Sequence, residues 1–107
     1  MDSTTNNAGP VTLSAPGYDA LGNVLLRAFE QAASGKGAER HAQGQAFDEQ
    51  PMQTIAQLVG VGGPLFQAIK KAQESMRLPR DAAVRELLGA INYLAGAILH
   101  LEARSDG

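Results

Sequence analysis

The chain has 107 residues and a mass of 11.2 kDa, room for one small domain and not for two. It contains no cysteine, which removes disulfide frameworks, thiol catalysis and Cys-type zinc sites. A net charge of -2 and a pI near 5.6 speak against direct nucleic-acid binding, which usually comes with a strongly basic domain. Eighteen alanines, twelve glycines and only 5% aromatic residues mean that any core is built from small side chains. Such a core buries little area per position. The composition therefore predicts that a second copy, a partner or a ligand completes the buried surface.

Residues 1–17 read as a polar tail. They lack the basic-then-apolar layout of a signal peptide, and Pro16-Gly17 punctuates their end. Residues 18–107 read as a single helical domain. Its first helix is expected over 19–33, opened by the capping residue Asp19. Leu21, Val24, Leu25, Ala28, Phe29 and Ala32 recur on one face of it. A polar, glycine-marked connector follows over 34–50. Pro51 suits the first position of a second helix with Met52, Ile55, Leu58 and Val59 as its apolar face. Gly60-Val61-Gly62-Gly63-Pro64 bends the chain. A third helix is expected over 64–77, with Leu65, Ala68, Ile69, Ala72 and Met76 on one face, and Leu78-Pro79 ends it.

The last helix, over about 80–103, is the clearest element. Val84, Leu88, Ile91, Ala95 and Ile98 form a heptad-like seam, which Leu87, Leu94 and Leu101 widen. Its other face carries Gly89, Asn92, Tyr93, Gly96 and His100. Glycine inside a helix costs about 1 kcal/mol relative to alanine, so this face predicts the close approach of a neighbouring helix, here assigned to another subunit. The nearly uncharged stretch over 87–101 is shorter than the roughly 20 residues that span a bilayer, so no membrane span is expected. The fold class is all-α: a helical hairpin with a long C-terminal helix and a preceding N-terminal helix, assembling into an oligomeric bundle.

No catalytic or metal motif is visible. The two histidines, His41 and His100, lack ligand spacing, and no cofactor is expected. Helical nucleotide pyrophosphohydrolases hold a divalent ion with carboxylates repeated at helical spacing. No helix here presents two acids at i, i+3 or i, i+4, although Asp48, Glu49 and Glu86 leave an assembled site open.

The glycine run offers a different chemistry. Backbone N–H groups at Gly62 and Gly63, at the start of a helix, suit an anion. Lys70 and Lys71 follow within roughly two turns. Lys36, Arg40 and His41 of the connector add phosphate donors, Arg in fork geometry. Gln43, Gln45, Gln50 and Gln53 are candidates to read base edges, and Phe47 or Tyr93 to stack on a base. The competing reading is a glycine hinge followed by a solvated charged face.

The segments Gly35-Lys36-Gly37-Ala38-Glu39-Arg40-His41 and Phe47-Asp48-Glu49-Gln50-Pro51-Met52 resemble small helical proteins encoded by tailed phages and prophages. So do Gln67-Ala68-Ile69-Lys70-Lys71-Ala72 and Glu86-Leu87-Leu88-Gly89-Ala90-Ile91-Asn92-Tyr93-Leu94. The resemblance covers residues 34–102, and some of those proteins are labelled dATP/dGTP diphosphohydrolase-like. The acidic metal motif of a pyrophosphohydrolase is not visible, so the resemblance carries nucleotide binding further than hydrolysis. In size and architecture the chain is also similar to small oligomeric sponges that sequester cyclic-nucleotide or ADP-ribose immune signals.

The expected function is anti-defence sequestration of a nucleotide-like anion, in the cytoplasm of an infected bacterial host, by a homo-oligomer. The ligand contacts would be Lys36, Arg40, His41, Gln50, Gly62, Gly63, Lys70 and Lys71. Gly89, Asn92, Tyr93, Gly96 and His100 would form the subunit interface. The first alternative is an inhibitor or adaptor that docks a host protein through a helix face. The second is a metal-dependent nucleotide pyrophosphohydrolase.

Overall fold

A computed structural model describes residues 12–34, 46–47 and 51–103. Among them lie four helices and no strand, so the protein is all-α. They are α1 (Asp19–Ser34), α2 (Pro51–Val59), α3 (Gly62–Ser75) and α4 (Arg80–Glu102). The expected elements recur, with α3 starting two residues earlier than the position of Pro64 suggested.

The turns follow from the residues that punctuate them. Gly60 takes φ +86, and its N–H donates to the Ala56 carbonyl at 2.7 Å, a left-handed residue closing α2. Val61 alone separates it from α3. Residues 76–79 connect α3 to α4, and so short a link makes the two helices a hairpin.

All three other helices dock on α4, and α2 also packs on α3. Each is held to α4 by a polar link. For α1, Asn92 Nδ2 donates to the Ala28 carbonyl at 3.0 Å. Gln31 Nε2 adds a longer bond to the Arg85 carbonyl at 3.4 Å. For α2, the buried Gln53 Nε2 donates to the Gly96 carbonyl at 3.0 Å. For α3, Lys71 Nζ pairs with Glu86 Oε1 at 3.0 Å.

The helices form where expected but face differently. Among the described residues, the buried apolar ones are Ala28, Ala56, Ala68, Leu88, Ala90 and Ala97, and Pro64 is fully enclosed. Leu21, Leu25 and Phe29 of α1 are exposed, as are Ile55, Leu58 and Val59 of α2, and Leu65, Ile69 and Met76 of α3. In α2 the contrast is sharpest: Ala56 is 0% exposed and Leu58 is 79% exposed. The expected apolar faces are thus corrected. Ala28, Ala56 and Ala68 pack inward because a methyl group lets two helix backbones close to short range, and many of the large side chains are left on the outside.

The membrane expectation also changes. α4 is long and apolar enough to cross a bilayer by length and composition. The stretch 87–101 undercounted it, since the helix also includes Ala82, Ala83 and Val84. Leu88, Gly89, Ala90, Gly96 and Ala97 of this helix are buried by the chain's own helices.

Candidate functional site

The residues expected to bind an anion fall into three groups. Lys36, Arg40, His41 and Gln50 lie outside the described residues, as do Asp48 and Glu49. Gly62, Gly63, Lys70 and Lys71 all lie on α3. On α3 only part of the set shares a side: Gly63 and Lys70, seven residues apart, lie on one side of the helix. Gly62 and Lys71 are nine residues apart, roughly two and a half turns, and so occupy opposite sides of the helix.

Each of the four has a local role that the structure makes plain. Gly62 is exposed, and a Cβ there would meet nothing within 4 Å. Gly63 is a close-packing position instead. A Cβ there would meet Ile55 Cγ2 at 3.2 Å and Val59 Cγ2 at 3.3 Å, so its missing side chain lets α3 seat against α2. Lys70 is exposed to solvent. Lys71 lies across α4. Its ammonium pairs with Glu86 and sits 5.9 Å from the Tyr93 ring centroid, within cation–π range. Its stem covers Gly89, where a Cβ would meet Lys71 Cδ at 3.1 Å. Lys71 is therefore a partly buried strut, with its charge already compensated.

The second face of α4 has the close neighbours its glycines implied, and they belong to the same chain. Gly89 is covered by Lys71 of α3 and approached by Gln31 of α1. Asn92 bonds to α1, and the Gly96 carbonyl bonds to α2. Tyr93 lies beside Lys71, and His100 is half-buried. The assignment of Gly89, Asn92, Tyr93 and Gly96 to another subunit is corrected accordingly. The glycines reported a close approach, but not whose helix makes it.

Sequence reasoning missed two participants. Gln53, a candidate base reader by sequence, instead makes a buried hydrogen bond to the α4 backbone. Glu86 was weighed only as a metal ligand, and it is the partner of Lys71. A signal existed for Gln53: it shares a stripe with Ala56, opposite the large residues of α2. Among the described residues no group of three or more His, Asp or Glu side chains could hold a metal ion.

The arrangement offers an extensive apolar exterior. Leu21, Leu25 and Phe29 step by four along one side of α1, and Tyr18 extends the row just before its start. On α3, Leu65, Phe66 and Ile69 crowd one side, and Met76 is exposed just beyond its end. Exposed apolar residues scattered singly are ordinary on a monomer, but such stripes mark interaction surfaces. No protein-family model, curated protein or solved structure matches the chain.

Proposed function

We propose that the chain is a non-enzymatic binding protein of the small phage type it resembles, an adaptor or inhibitor that docks a protein partner through the apolar stripes of α1 and α3. One observation carries this reading. The large side chains point outward while alanines fill the interior, as in Ala68, which is buried beside the exposed Ile69. A partner that covers Phe29 and Phe66 would remove from water the area this small-residue core leaves exposed.

Site-specific photo-crosslinking tests it. A photoreactive phenylalanine analogue at Phe29 or Phe66, in bacteria producing the chain, should give one discrete adduct with an identifiable protein. Substituting the other stripe residues by serine should abolish it. Absence of an adduct at both positions overturns the reading.

A second reading, sequestration of a nucleotide-like anion, has one observation in favour: the open start of α3 at Gly62, with Lys70 exposed two turns on. A thermal-shift panel of cyclic dinucleotides and trinucleotides, ADP-ribose derivatives and dNTPs decides it. A rise in the melting midpoint supports sequestration, and a flat panel at millimolar ligand overturns it.

A further inference from the structure

Two residue patterns overlap on α4, and the structure separates them. Leu88 and Ala90 turn inward. Among the large apolar residues left exposed or half-buried are Val84, Leu87, Ile91, Leu94, Ile98 and Leu101, spaced three, four, three, four, three. These are the a and d positions of an unbroken heptad. Every a position is β-branched (Val84, Ile91, Ile98), and every d position is leucine (Leu87, Leu94, Leu101). None of the six is buried, and Ile98 is 56% exposed.

In the same register the contacts within the chain fall on the outer positions. Gly89 and Gly96 are at f, Asn92 at b, and Glu86 and Tyr93 at c. These are the residues that meet α1, α2 and α3. Among the described residues, the chain's own helices thus lie mainly on the side of α4 that a coiled coil leaves free, and on the side that a coiled coil uses Leu87, Leu94, Ile98 and Leu101 are exposed while Val84 and Ile91 are half-buried. The flanking e and g positions hold Ala83, Leu88, Ala90, Ala95, Ala97 and Glu102. With Leu88, Ala90 and Ala97 buried against the chain, the outward stripe is narrowed to the a/d seam.

We infer that a second copy of this chain covers this seam, α4 pairing with α4 in parallel and in register. Side-chain shape chooses the occupant. β-branched residues at a with leucine at d favour two parallel strands, because the angle at which each knob enters its hole differs between the two positions. In a parallel pair the β-branched residues meet their own kind (Val84, Ile91, Ile98) and Leu meets Leu in alternating layers, while an antiparallel pair would mix them. A two-fold axis along the seam sets the α1–α3 packing of each protomer on the outside.

Length and area are consistent with a modest affinity. Residues 84–101 span about 26 Å of helix. Twelve seam side chains bury on the order of 1,000 Å², the low end for a specific pair. Because α4 is already held helical by α1–α3, pairing does not have to order it.

Sedimentation equilibrium on the full chain tests the proposal, up to about 100 µM because a pair of this size binds weakly. The wild type should approach twice the monomer mass. Ile98→Glu and, separately, Leu94→Glu should each be monomeric with an unchanged far-UV helical signal, since both residues lie outside the monomer's interior. A monomeric wild type, or a glutamate variant that still dimerises, overturns the pairing.

Orientation is read in the cysteine-free background. Leu101→Cys should oxidise to a covalent dimer. If it does not, while a mixture of Leu101→Cys and Val84→Cys chains cross-links between the two, the pair is antiparallel and the proposal is overturned. The inference rests on α4 alone. A monomer that still gives a partner adduct through Phe66 overturns the pairing and leaves the adaptor reading in place.

Discussion

The side-chain amide of Gln53 reaches the backbone carbonyl of Gly96 across 43 residues of sequence, at 3.0 Å and out of contact with water. The Gly96 carbonyl also belongs to the α4 ladder, so loss of the Gln53 bond does not orphan it. Gln53→Met, which keeps the volume, should therefore cost only about 1 kcal/mol. Gln53→Glu should cost more, because it buries a carboxylate facing a carbonyl oxygen. Urea unfolding midpoints should rank wild type above Met above Glu.

The inward alanines predict a reversal of the usual size rule in α2. Ala56→Leu adds volume at a fully enclosed position and should destabilise by about 1–3 kcal/mol. Leu58→Ala removes a large apolar side chain from solvent and should change stability by less than about 0.5 kcal/mol. Thermal unfolding of the two variants at a concentration where the chain is monomeric checks both.

Two glycines should respond to alanine in opposite ways. At Gly63 the new methyl would press on Ile55 and Val59, whose branched side chains have little rotamer freedom, so Gly63→Ala should destabilise by about 1 kcal/mol. At Gly89 it would press on the flexible stem of Lys71, which can shift. Gly89→Ala should be neutral or stabilising by up to about 1 kcal/mol through helix propensity. Calorimetric midpoints should move in opposite directions or split by several degrees.

At Gly60 space is not the issue, since a Cβ there would meet nothing within 4 Å. The backbone is at φ +86, a region that costs an L-residue about 1–2 kcal/mol. Gly60→Ala should lose that amount in a denaturant titration, and Gly60→Asn should lose less, because asparagine tolerates the left-handed region.

The helices and their ends were legible because punctuation is local. Pro51, Gly60 and Pro79 mark boundaries through their own dihedral restrictions, and the periodic runs between them are helical wherever they pack. The facing of those helices was not legible. Each carries large apolar residues on one side and one or more alanines on another, and periodicity supports either side as the inward one. In α4 the two were superimposed as one broad band, and only the burial of Leu88 and Ala90 separates them. The glycines of α4 correctly announced a close neighbour, but glycine carries no information about which chain supplies it. The pairing of Lys71 was not legible because a charge read along the sequence shows no partner, and Glu86 lies one hairpin away.

The links to α4 differ greatly in the loop each must close. Lys71 and Glu86 are 15 residues apart, while Asn92 and Ala28 are 64 apart. Closing the longer loop costs more chain entropy, and α1 docks through α4 with a largely exposed surface of its own. The hairpin of α3 and α4 is then the early-forming, late-opening unit, and α1 is the segment that detaches at least cost. Its amides should exchange with solvent before those of α4, so the Phe29 stripe rides on an arm that can release from its frame while the frame stays folded.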